Sequence, residues 1–154
     1  MELRRASPVD ALTIAEVFLR ARAEMTYLPR LHTAEETHAF FRDRVLCEAE
    51  VWVAADPDGR VLGFVAVGSR MLEHLYVLPQ AQGRGVGSAL LERAKVARPS
   101  ALELWVFQQN LGAHRFYERH GFELVELTDG ASNEERVPDA RYAWSPASAS
   151  RQHR

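Results

Sequence analysis

The sequence predicts an α/β domain of the α+β kind, with a mixed sheet and helices on both faces. Three observations carry that expectation. Two stretches with apolar residues at helical spacing follow a short opening strand. Two strand-like runs then flank a turn. Strand and helix patterns alternate after that, before two closing strands, in the order βααβββαβαββ.

Each element has its own reason. Glu2 to Ala6 alternates weakly and suits an edge strand, and Ser7-Pro8-Val9-Asp10 supplies cap and first-turn residues. Leu12, Ala15, Phe18, Leu19 and Arg22 recur at helical spacing, and that helix is expected to end near Met25. Thr33 with Glu36 makes a capping box for a second helix, whose apolar face is expected to carry Ala39, Phe40, Val45 and Leu46. Val51 to Ala55 and Arg60 to Val67 read as a hairpin around Asp56-Pro57-Asp58-Gly59. Met71 to Val77 is a third run, stopped at Pro79. Val86, Leu90, Leu91, Ala94 and Ala97 form a helix stripe, and Ala101 to Phe107 is the next strand. A short helix from Asn110 to His120 closes on Gly121. Phe122 to Leu127 and Ala140 to Trp144 finish the sheet. Residues 1–144 read as one domain, and the Ser/Ala-rich stretch 145–154 as a flexible tail.

Composition narrows the function. A chain of 154 residues, 47% hydrophobic and 26% charged, suits one globular domain. A net charge of −2 without a Lys/Arg stripe argues against a nucleic-acid partner. No apolar run is long enough to span a bilayer, and no signal segment opens the chain, so the expected location is the cytoplasm. The lone Cys47 reads as a buried helix residue, and no Cys/His cluster has metal spacing.

Chemistry concentrates where a strand runs into glycines that open a helix: Gln82-Gly83-Arg84-Gly85-Val86-Gly87-Ser88. The first amides of a helix lack intrahelical partners and attract phosphate, and glycine lets the backbone approach an anion. A nucleoside-triphosphate loop needs Gly-Lys-Ser/Thr, and no lysine stands here. The dinucleotide fingerprint nearly fits as Gly83-x-Gly85-x-x-Ser88, but it normally opens a repeating βαβ array, whereas two helices and a hairpin come first here.

Gln82-x-x-Gly85-x-Gly87 resembles the (Arg/Gln)-x-x-Gly-x-(Gly/Ala) signature of the GCN5-related N-acetyltransferase (GNAT) superfamily. The likeness includes Leu75-Tyr76-Val77 before Pro79, then Asn110, Phe116-Tyr117 and Gly121-Phe122, and covers Val51 to Phe122 in order and spacing. The resemblance implies a partly splayed sheet and direct transfer from acetyl-CoA to a primary amine of a small molecule, amino acid or peptide. It implies that Leu75, Tyr76 and Val77 pair through their backbone with the pantetheine arm. Gln82, Gly83, Arg84, Gly85, Val86, Gly87 and Ser88 would surround the pyrophosphate, Asn110 would touch the pantetheine, and Tyr117 would protonate the leaving thiolate. Dimers are common among such domains. A module that binds acyl-CoA only as a sensor is the alternative from another class.

The base and the acceptor site are less legible. The fifth-strand position where ribosomal-protein acetyltransferases commonly place an acid is Trp105 here. Glu73, nearest to the position of a catalytic histidine in some arylalkylamine acetyltransferases, is the substitute, with His74 or a water chain as alternatives. Strand alternation allows only one of Glu73 and His74 to face a given side. In the superfamily the acceptor lies between the loop joining the first two helices and the loop joining the last two strands. Those loops offer Tyr27, Arg30 and His32, and Glu134 and Glu135.

Overall fold

A computed structural model describes residues 1–148. Strand β1 (Glu2–Arg5) leads through a 3-10 turn (Pro8–Asp10) into α1 (Ala11–Ala23). Helix α2 (Ala34–Phe40) continues through a π-helical turn (Phe41–Val45) into the short α3 (Leu46–Glu48). Then come β2 (Glu50–Ala55), β3 (Val61–Val67), β4 (Leu72–Val77) and α4 (Val86–Ala97). Strand β5 (Leu102–Phe107), α5 (Leu111–Arg119), β6 (Glu123–Leu127) and β7 (Asp139–Trp144) complete the chain.

The strands form two antiparallel leaves, ordered β1-β2-β3-β4 and β5-β7-β6. The leaves meet at one parallel bridge, Met71 with Glu103, beside which the Glu103 amide donates to the Arg70 carbonyl at 3.0 Å. Past that point β4 and β5 part, so the edge of β4 facing the gap has no ladder partner among the described residues. This is the mixed, splayed sheet expected from the sequence.

Helices cover both faces of the first leaf. All seven residues of β3 are buried, because neither of its faces reaches water. A Cβ at Gly63 would meet Leu90 of α4 at 3.2 Å, while the next residue, Phe64, packs its ring 5.5 Å from Phe41 on the other side. Successive β4 residues divide in the same way. His74 and Tyr76 pack on Phe18 of α1, while Val77 lies under Gly87 of α4. Asp10, tied to Arg4 at 2.8 Å, and the Thr33/Glu36 capping box hold the starts of the first two helices.

Three expectations are corrected here. The buried residues of the second helical segment are Thr37, Phe41 and, as expected, Val45, whereas Phe40 is 45% exposed. The π turn admits one extra residue and advances the stripe beyond what a uniform 3.6-residue pitch gives. Cys47 is exposed, because the short α3 after that turn presents it to solvent. Residues 145–148 are not a loose tail. Ser145 and Ser148 cap each other, and the buried Ser148 hydroxyl donates to the Gly121 carbonyl at 3.2 Å. The rest of the expected tail, 149–154, lies outside the described residues. Among the described residues, no helix is long and apolar enough to cross a membrane.

Candidate active site

A cleft of about 1430 Å³ follows the gap between β4 and β5. That exceeds the few hundred to 1,000 Å³ typical of a pocket for one small ligand, and suits two reactants meeting end to end. Leu75, Tyr76 and Val77 line it, with the free backbone edge of β4 available to a strand-like ligand.

At one end the cleft meets the N-terminus of α4. Gly83 and Gly85 have φ of +79° and +84°, and a Cβ on either would meet nothing within 4 Å. Backbone conformation, not crowding, thus calls for glycine, and the same lack of side chains leaves the first amides of α4 uncovered. Gly87 is different, since a Cβ there would touch the Phe116 ring at 3.4 Å. Gln82 lines the cleft and its amide donates to the Val77 carbonyl at 3.3 Å. Ser88, also lining, bonds His120 Nε2 at 3.1 Å. Arg84 and Val86 stand apart from the lining. The Arg84 guanidinium folds back onto the Gln80 carbonyl at 2.9 Å, and the Val86 side chain is buried in the core.

Helix α5 crosses the middle. Tyr117 is buried yet lines the cleft, and its hydroxyl has no hydrogen-bond partner among the described residues. Burial, with a smaller effect of Tyr76, pushes its phenol well above the ordinary value. Asn110 lines the cleft and caps α5 by accepting the Ala113 amide at 3.1 Å.

Glu73 and His74 both line the cleft, which corrects the expectation that only one faces it. Ala66 pairs with His74 and Val67 with Leu72, so Glu73 is the extra residue of a β-bulge and leaves strict alternation. The cleft also runs along a strand edge, where side chains from both faces border it. Glu73 is exposed overall, yet partial desolvation of its carboxyl and the neighbouring Glu48 raise it above the ordinary range. His74 sits among Phe18, Phe40, Phe41, Phe64 and Tyr76. Burial there, aided by the charge of Arg22, lowers its pKa to about 4, so the ring is neutral at pH 7.

The far end is framed by the loop after α1 and the loop before β7. They are joined at the rim by His32 with Glu134, and Glu135 reaches inward to Arg22 at 3.3 Å. Tyr27 and Glu135 line the cleft; Arg30, His32 and Glu134 lie outside its lining. The β6–β7 loop is tightly held. Buried Asp139 accepts from Thr128 and from Asn133 at 3.1 Å, and Gln108 donates to the Thr128 and Asp139 carbonyls.

Sequence reading passed over Arg22 and Arg119, which line opposite ends of the cleft. A signal existed for Arg22: it is a cation standing on the apolar stripe of α1. Arg119 had none, because an arginine closing a helix normally serves the helix dipole.

An open strand edge leading to a glycine-opened helix N-terminus is the arrangement of an α/β transferase for extended, anionic acyl carriers. Comparison with known proteins places it further. The acetyltransferase (GNAT) domain family matches residues 47–124. Peptidyl-lysine N-acetyltransferase YiaC of Escherichia coli strain K12 is 36% identical over 67% of this chain and 68% of its own. Peptidyl-lysine N-acetyltransferase YjaB of the same strain is 34% identical over 52% of this chain, a match spanning about half of that protein, 54%. The solution structure of apo YjaB from Escherichia coli superposes with a TM-score of 0.75 at 25% identity, covering 93% of this chain and 96% of that one. The chain belongs to the GNAT family of N-acetyltransferases, enzymes that draw their acetyl group from acetyl-CoA.

Proposed function

We propose that this chain transfers acetyl from acetyl-CoA directly to a primary amine, with a lysine side chain in a peptide as the leading acceptor. The supporting observation is the division of charge along the cleft. The end at α4 offers helix amides, Ser88 and Arg119, with no carboxylate in its lining, and suits a pyrophosphate. The other end carries Glu24, Glu73, Glu135 and Asp139 against the cation Arg22, and suits an incoming ammonium. The names of YiaC and YjaB as peptidyl-lysine enzymes point to the same acceptor class.

Bound acetyl-CoA supplies an activated thioester, and the residues divide the remaining work. The edge of β4 and the amides of α4 hold the extended carrier. A lysine ammonium with pKa about 10.4 must lose a proton before its lone pair attacks, at a cost of about 4–5 kcal/mol at pH 7. Glu73, made more basic than an ordinary carboxylate, is the stronger acceptor for that proton, through water at the cleft mouth. His74, with a pKa of about 4, is the weaker one. Nitrogen bonds to the carbonyl carbon as the carbon–sulfur bond breaks. Tyr117 then meets the departing thiolate. Since its phenol is a weaker acid than the thiol that forms (pKa about 8.5), it stabilises the sulfur mainly by hydrogen bonding. Thiol release measured with acetyl-CoA and a panel of amines, with the products weighed by mass spectrometry, tests the proposal. Amine-dependent release with acetylated product supports it, and release that no amine raises above hydrolysis rejects it.

A further inference from the structure

The floor of the acceptor end holds more hydrogen-bond donors than the protein satisfies. Arg22, in the last turn of α1, donates Nε–H to the Tyr76 hydroxyl at 3.2 Å and Nη1–H to Glu135 at 3.3 Å. Its Nη2 has no partner among the described residues, and Tyr76, which accepts from Arg22, keeps its own proton free to donate. Beside them the Tyr27 hydroxyl is sealed from solvent and also lacks a partner. Nη2 and the Tyr76 hydroxyl are not among the groups sealed from solvent, so both are open to water in the cleft, and a ligand oxygen can take that water's place.

We propose that this floor receives a neutral amide carbonyl of the amine substrate, held by Arg22 Nη2 and the Tyr76 hydroxyl. The enzyme would thereby read the peptide backbone next to the amine. The inference rests on the amine-transfer reading above. Charge decides between the oxygens that could fill the position. The guanidinium is already matched by Glu135, and Glu24 and Glu73 line the same end. A substrate carboxylate would add a further negative charge to a lining that already holds Glu24, Glu73, Glu135 and Asp139, whereas an amide carbonyl accepts the free N–H without adding charge. A plain alkylamine would leave the donors to water, and sites built to hydrogen-bond discriminate strongly against analogues that lack the partner.

Three probes separate the cases: Nα-acetyl-lysine N-methylamide, Nα-acetyl-lysine with its free carboxylate, and pentylamine. With the wild-type protein the methylamide is expected to exceed both others in kcat/KM by about tenfold or more. Arg22→Lys keeps the charge but loses the fork, and should cut the methylamide-to-pentylamine ratio by about tenfold. Both amines compete in one sample, so any loss of folded protein cancels from the ratio. Tyr76→Phe, which removes the second donor, should lower the same ratio roughly three- to tenfold. Equal use of pentylamine, preference for the carboxylate probe, or a ratio unmoved in both variants would overturn the proposal. Calorimetric titration of the probes into CoA-loaded protein reads selectivity without turnover. Selective binding without turnover defeats the catalytic reading and keeps the carbonyl site; turnover without selectivity defeats the carbonyl site alone.

Discussion

Gly130 offers a sharp test of how rigidly the acceptor loop is built. It follows β6 with φ of +84°, and a Cβ there would lie 2.4 Å from the Val137 carbonyl carbon, 2.5 Å from its oxygen and 2.8 Å from the Pro138 nitrogen. These are backbone atoms in a segment that Asn133 grips at both the Val137 amide and the Val137 carbonyl. Gly59, in the β2–β3 turn, is the control, with φ of +86° and nothing within 4 Å of its Cβ position. Alanine at either site meets a left-handed penalty of about 1–2 kcal/mol, partly offset by about 0.4–1 kcal/mol from stiffening the unfolded chain. Gly59→Ala should therefore cost about 1 kcal/mol or less. Gly130→Ala adds overpacking of about 1–3 kcal/mol, for a total of about 1–4 kcal/mol. Urea denaturation followed by circular dichroism would show the difference as a shift in midpoint at equal slope. Because the loop carries Ser132, Asn133 and Glu135 to the cleft, the amine KM should also rise while acetyl-CoA affinity stays unchanged. A Gly130→Ala loss no larger than that of Gly59→Ala would show that the loop is not pinned against Val137 and Pro138.

Tyr117→Phe is expected to lower kcat by up to about 100-fold, the small end of general-acid effects, with acetyl-CoA affinity unaltered in calorimetry. An unchanged kcat would remove Tyr117 from the chemistry. Glu135→Gln leaves Arg22 without its carboxylate and weakens the negative end of the cleft, so the amine KM should rise about tenfold while the acetyl-CoA KM holds; parallel rises in both would refute the assignment. His74 makes stability depend on pH. Its pKa of about 4 lies below the unfolded value of 6.5, so the unfolded chain takes up the proton first as pH falls. Stability is thus fully present above pH 6.5 and is lost progressively down to about pH 4. Between pH 7 and 5 the wild type should lose up to about 2 kcal/mol more than His74→Phe. Equal losses would mean that the ring is not shielded by its aromatic neighbours.

Local chemistry was readable wherever one or two residues decide a conformation. The Thr33/Glu36 box, the Asp-Pro-Asp-Gly turn and the glycines before α4 each act within a few residues, so their spacing alone was informative. Features set by packing were not. A π turn at Phe41–Val45 costs a hydrogen-bond register that only the fit of Phe41 between Phe18 and Phe64 repays, and no local pattern announces it. The bulge at Glu73 likewise arises from the pairing of β4 with β3. Arg22 was visible as an oddity on an apolar stripe, but its partners stand 54 and 113 residues away in sequence. Ser148 looked like part of a polar tail until the Gly121 carbonyl gave it a reason to be buried.

The single bridge between Met71 and Glu103 has a thermodynamic consequence. Among the described residues no other ladder rung joins the two leaves, so a ligand lying along β4 would add backbone hydrogen bonds at an edge without a ladder partner, and only in the folded state. Its binding energy then becomes folding energy, about 2.7 kcal/mol when the ligand is present at a hundred times its Kd. For a chain of this size that is a rise of several degrees in Tm. The melting temperature is therefore a joint property of the protein and the free ligand concentration, and a preparation that retains CoA will melt as though it were a sturdier protein.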